Sequence, residues 1–108
     1  MTFSDVETNT QSPANLTRQK RQLADQAIAQ ATAAQWVEAA ATNRKLLELG
    51  PDAEAENRLA KSLWELGELG AAREHYQTAL ALDPTSRIAE RNIDRLKMLM
   101  VAAGDKTV

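Results

Sequence analysis

Cysteine is absent from this chain of 108 residues, and histidine occurs once, at His75. Without a thiol, the chain can form no disulfide, thiolate metal site or cysteine nucleophile. It also lacks a glycine-rich loop placed after a strand to hold phosphate. Because so few side chains suited to catalysis or metal binding are present, the sequence predicts a protein that is not an enzyme and has no cofactor or metal. We interpret His75 as a structural residue.

Aromatic residues are scarce too, at 4% of the chain, so the core must consist mainly of aliphatic and alanine side chains. There is no basic, apolar leader and no apolar run that could span a bilayer, which predicts a cytoplasmic protein. The 13 basic residues are balanced by 15 acidic ones, and the net charge of −2 argues against nucleic acid or a membrane as partner. The length favours a single small domain.

Helical periodicity and helix-ending residues divide the chain. We predict a disordered N-terminal tail, a helical domain and a C-terminal tail, at residues 1–13, 14–103 and 104–108 respectively. The N-terminal tail is polar and has too little apolar surface to offset its ordering entropy. Ser12 and Pro13 suit the start of a first helix, whereas Gly50 and Pro51 end a second one.

The most informative pattern lies in residues 53–86. Small side chains recur there at positions where two antiparallel helices must approach closely, and two large ones fill the remaining space. The predicted seam consists of Leu59, Ala60, Ala72, Tyr76 and Ala79. Together with Gly67 at the turn and Pro84 at the end, this order of residues resembles a tetratricopeptide repeat.

Weaker copies of the pattern flank this repeat. Ala39 precedes Ala72 by 33 residues, and Ile93 follows Leu59 by 34. In the first copy, Ala34 takes the place of the turn glycine. The chain therefore resembles the tetratricopeptide repeat family over about two and a half repeats. The resemblance implies an all-α fold, a right-handed superhelical array of antiparallel helix pairs with five helices, the last of them a capping helix.

The resemblance also implies a function, because the first helices of successive repeats line a concave groove that can bind an extended peptide. We predict a noncatalytic protein–protein interaction module, an adaptor or scaffold, that binds an extended, acidic peptide on the concave face. The contact positions of the family map onto the predicted binding residues Asn57, Arg58, Lys61, Trp64, Arg91, Asn92 and Arg95. Trp64 could instead pack between neighbouring helices.

Three arginines, Arg87, Arg91 and Arg95, recur every four residues, where like charges repel each other. An acidic ligand would explain this spacing through charge-assisted hydrogen bonds to the guanidinium groups. Countercharge from Glu90 and Asp94 is the simpler explanation, and the sequence leaves both open.

The end of the fifth predicted helix suggests an alternative function. Its apolar residues are Met98, Leu99, Met100 and Val101, and they make the helix apolar all round where an end cap should be polar outside. Such an end needs a partner, which could be a second copy of the chain in a homodimer. The chain could also be the N-terminal interaction domain of a larger protein.

Overall fold

The computed structural model describes residues 12–104, and within them the chain forms five α-helices and no strand. The helices are α1 (Pro13–Thr32), α2 (Trp36–Glu48), α3 (Ala53–Glu65), α4 (Leu69–Leu82) and α5 (Arg87–Ala102). The predicted all-α fold is confirmed. The predicted tails lie outside the described residues, except that Ser12 and Pro13 already belong to the start of α1 and Gly104 follows the end of α5.

Side-chain caps begin α1, α3 and α5. Ser12 Oγ accepts a hydrogen bond from the backbone N–H of Asn15 at 3.2 Å, which confirms the start predicted from Ser12 and Pro13. Asp52 and Ser86 make the equivalent bonds at the starts of α3 and α5. Each such cap contributes about 1 kcal/mol to helix stability. The three helices therefore begin where local sequence chemistry fixes them.

The turns inside the two helix pairs, α1 with α2 and α3 with α4, have the same geometry. In each, the backbone N–H just beyond the turn donates to a carbonyl five residues earlier, at 2.8 Å in both cases. The turn residue with positive φ is Ala34 in the first pair, at 58°, and Gly67 in the second, at 85°. An alanine in this left-handed region costs about 1–2 kcal/mol, whereas glycine adopts it readily. The first pair therefore has a strained turn.

The helices pack as an array. Each one packs against its neighbours along the chain, and α1 also contacts α3. All five side chains of the predicted seam are at most 1% exposed; they are Leu59, Ala60, Ala72, Tyr76 and Ala79. The same core continues into α5 through Ala89, Ile93 and Leu96. This confirms an array of antiparallel helix pairs followed by a fifth helix.

The end of α5 has apolar residues on more than one side. Met100 is only 4% exposed, and a role for Met98, Leu99, Met100 and Val101 in self-association stays a prediction. Met100 lies on the same side of α5 as Ile93 and Leu96, which faces the core. It follows Ile93 by seven residues, or about two helical turns, and Leu96 by four residues, or about one turn. Met98 and Val101 remain 74% and 63% exposed on the other sides of the helix. The helix end is therefore apolar both inside and outside.

Candidate functional site

A cavity of about 250 Å³ lies between α1, α3 and α5, with α4 beneath it. We call it the central cavity, and its lining consists of Ala31, Asn57, Arg58, Lys61, Tyr76, Ile88 and Asn92. It brings together four of the seven predicted binding residues, namely Asn57, Arg58, Lys61 and Asn92. Two cations and two amides therefore surround one space whose remaining walls include Ala31 and Ile88.

Arg58 is held from below by α2. Its Nε donates a hydrogen bond to Oδ1 of Asn43 at 3.0 Å. Asn43 is 1% exposed, and its own Nδ2 donates to the carbonyl of Ala39 at 2.9 Å. Among residues 12–104, the bond through Nε is the one hydrogen bond that the Arg58 side chain makes. Its two terminal nitrogens are therefore available to a ligand.

The two amides of the cavity have different partners. Asn57 Nδ2 donates to Ser86 Oγ at 3.4 Å, while its Oδ1 is buried and has no hydrogen-bond partner in the described part of the chain. Asn92 interacts with the hydroxyl of Tyr76. Burial raises the pKa of that hydroxyl, and the Asn92 side chain and the charge of Arg95 act in the opposite direction. Asn57 therefore has a buried acceptor that is unpaired in the described part of the chain.

Trp64 packs among charged and aromatic side chains. The guanidinium carbon of Arg95 lies 5.3 Å from the centre of its ring system, and Lys61 Nζ lies 5.8 Å from it. Tyr76 meets Trp64 edge-on, with the ring centres 6.4 Å apart, and Trp64 packs against the core. Lys61 also pairs with Glu65 at 2.6 Å. These contacts favour the packing interpretation of Trp64 and place both Arg95 and Lys61 close to its ring.

Arg91 does not line the central cavity. It lines a separate cavity of about 500 Å³ together with Pro84, Thr85, Arg87 and Glu90. Residues four apart on a helix are displaced by about 40° around the axis, so a row with this spacing drifts around the helix. Arg95 consequently contacts Trp64 whereas Arg87 and Arg91 lie near Glu90. The three arginines therefore do not lie together at one site.

Sequence reasoning missed two polar contacts that join α3 to its neighbouring helices. Asn43 occupies the buried stripe of α2 that also contains Ala39 and Leu46, and a polar residue at that spacing could have been recognised. His75 Nδ1 lies 2.7 Å from Glu56 Oε1, which joins α4 to α3. The Glu56 side chain is only 13% exposed, so it is not the solvated surface charge that helical spacing alone suggests.

Within residues 12–104, no group of three or more histidine, aspartate or glutamate side chains could hold a metal ion. None of the five described helices is both long and apolar enough to cross a bilayer.

Comparison with known proteins agrees with this architecture. Residues 53–86 match the family model of the tetratricopeptide repeat, which confirms the resemblance seen in the sequence. The match covers α3, α4 and the turns that follow each of them. No curated protein and no solved structure matches the chain significantly. The chain thus carries one tetratricopeptide repeat at residues 53–86, and this repeat is generally a noncatalytic protein–protein interaction module.

Proposed function

We propose that this chain is an adaptor or scaffold that binds an extended, acidic peptide segment of a partner protein on the concave face formed by α1, α3 and α5. The observation that carries the proposal is the central cavity, where Arg58, Lys61, Asn57 and Asn92 meet. The proposed role is binding alone and includes no chemical reaction.

The chemistry of the cavity favours a peptide that carries a carboxylate. Arg58 uses Nε for a hydrogen bond within the protein. Its two terminal nitrogens can therefore donate to both oxygens of a ligand carboxylate in a bidentate pair. Ile88, which is 59% exposed, adds apolar surface.

A selection experiment tests this function. A phage-displayed library of random dodecapeptides would be selected on the immobilised protein, and an enriched peptide would be labelled for fluorescence anisotropy. We expect enrichment of Asp and Glu. We also expect Lys61→Glu to weaken binding by about tenfold, because it places a like charge in the cavity. Arg87→Glu, which makes the same charge change outside the central cavity, should alter the affinity less than threefold.

Three results would contradict the proposal. One is a library that yields no binding peptide, and another is enrichment of peptides without acidic residues. The third is an equal loss of affinity in the Lys61→Glu and Arg87→Glu variants, because a general charge effect would then explain the binding.

A specific observation favours self-association as a second candidate function. A groove of about 520 Å³ on α5 is lined by Asp94, Lys97, Met98, Val101 and Ala102. Met98 and Val101 are the two most exposed apolar residues of that helix. If this groove forms a homodimer, sedimentation velocity at high concentration should show a dimer that Val101→Lys converts to a monomer. A wild-type monomer at every accessible concentration would exclude this candidate.

A further inference from the structure

We propose that Asn43, a buried residue of α2, is a positioning residue that orients Arg58 for ligand binding. Asn43 does not line the central cavity, so it would act on the ligand only through Arg58. Its effect on affinity rests on the proposed function, whereas its effect on Arg58 can be measured without any ligand.

The hydrogen bonds of Asn43 fix the direction of its amide. Nδ2 donates to the carbonyl of Ala39 one turn earlier in α2, at 2.9 Å. With Nδ2 engaged there, Oδ1 is directed to α3, where it accepts from Arg58 Nε at 3.0 Å. Because Asn43 is 1% exposed, water cannot replace either partner. The guanidinium of Arg58 is therefore anchored by one nitrogen, and its terminal nitrogens form a fork of fixed direction.

The position of Asn43 argues for a role beyond packing. The residue lies in an apolar stripe between Ala39 and Leu46, where an apolar side chain would avoid the cost of burying an amide. The equivalent residue in the next helix pair, 33 positions later, is Tyr76, and the Asn92 side chain of α5 lowers the pKa of its hydroxyl. At both positions, a buried polar side chain of one helix pair thus lies near a polar cavity residue of the helix that follows.

Anchoring the guanidinium in the free protein should improve ligand binding, because an arginine that is already ordered loses little side-chain entropy when it pairs with a carboxylate. It should also slow the exchange of the Arg58 Nε proton with water. The second consequence provides a direct measurement.

The experiment uses nitrogen-15 NMR of the arginine side chains in the full chain. In the wild type, we expect the Arg58 Nε proton to exchange with water at least tenfold more slowly than that of the exposed Arg87. Asn43→Leu should remove this protection while the circular dichroism remains helical. Asn43→Asp should retain it, because the acceptor is preserved. If the leucine variant does not fold, Asn43→Ala provides the same test with a smaller side chain.

Binding of a library-selected acidic peptide supplies the functional arm. We expect Asn43→Leu to weaken its affinity about tenfold, and Asn43→Asp to change it less than threefold. Leu46→Ala is the control, because it removes buried volume from the same helix but no hydrogen bond to Arg58, and it should also change affinity less than threefold while the protein remains folded.

Three outcomes would overturn the proposal. They are fast exchange of the Arg58 Nε proton in the wild type, protection that survives in Asn43→Leu, and an equal loss of affinity in Leu46→Ala and Asn43→Leu. If the library yields no peptide, the proposed function fails, and the exchange measurement still decides whether Asn43 positions Arg58.

Discussion

The turn at Ala34 provides a sharp test of how the repeat geometry is encoded. Ala34 and Gly67 occupy the same place in successive helix pairs, and both have positive φ, at 58° and 85°. Ala34→Gly should therefore stabilise the protein. Gly67→Ala should destabilise it, although a methyl group at Gly67 would meet no atom within 4 Å. Any cost at Gly67 must then come from the backbone conformation and not from a clash.

The magnitude follows from two opposing terms. Relief of the left-handed conformation at Ala34 gains about 1–2 kcal/mol. The greater freedom of glycine in the unfolded chain takes back about 0.4–1 kcal/mol. The net stabilisation of Ala34→Gly is therefore about 0.5–1 kcal/mol. Gly67→Ala should cost about 1 kcal/mol, because the same terms have the reverse sign and φ at Gly67 is further from the left-handed minimum.

Urea denaturation followed by circular dichroism measures both effects. With an m-value on the order of 1 kcal/mol/M for a domain of this size, the midpoint of Ala34→Gly should rise by about 0.5–1 M at unchanged m. The double variant should lie near the wild type, because the two turns lie in different helix pairs and their effects should add. A midpoint for Ala34→Gly at or below that of the wild type would refute the reasoning.

Three further predictions concern the core. Burial raises the pKa of Tyr76, the one tyrosine of the chain, so absorbance at 295 nm should show ionisation above pH ~10 in the folded protein and lower in concentrated urea. The free energy of unfolding should accordingly fall as the pH rises above the pKa of Tyr76 in the unfolded chain, because the unfolded chain loses this proton first. Equal titration midpoints of Tyr76 in the folded and unfolded chains would contradict this. Met100→Ala should cost about 2 kcal/mol in urea denaturation and Met98→Ala less than about 0.5, whereas equal costs would mean that Met100 is not buried. In thermal denaturation, Ala79→Leu should be destabilised by about 1–3 kcal/mol and the exposed Ala81→Leu hardly affected; a tolerated leucine at 79 would disprove close packing of α3 and α4.

The helix pairs could be predicted from sequence because their packing depends on residue size and spacing. Ala60, Ala72 and Ala79 are small at regular intervals, and each is fully buried where α3 meets α4. Gly67 and the cap at Ser86 fix local geometry through their own chemistry, so they locate helix ends without any knowledge of the tertiary structure.

The details of the site were less accessible. Periodicity identifies the buried side of a helix, but it does not reveal which polar atoms meet across helices. The bond from Arg58 to Asn43 and the separation of Arg91 from Arg95 both depend on how neighbouring helices are oriented. Four of the residues that the family mapping indicated, Asn57, Arg58, Lys61 and Asn92, line the central cavity, and their role in binding stays a prediction.

The central claim is that the cavity between α1, α3 and α5 is the peptide-binding site. A proton–nitrogen NMR titration of the labelled protein with a library-selected acidic peptide tests it most directly. The account predicts that the side-chain amide signals of Asn57 and Asn92 and the Nε signal of Arg58 shift together, with one dissociation constant. Shifts confined to Arg87 or to the outer end of α5 around Met98, with the cavity signals unchanged, would contradict it.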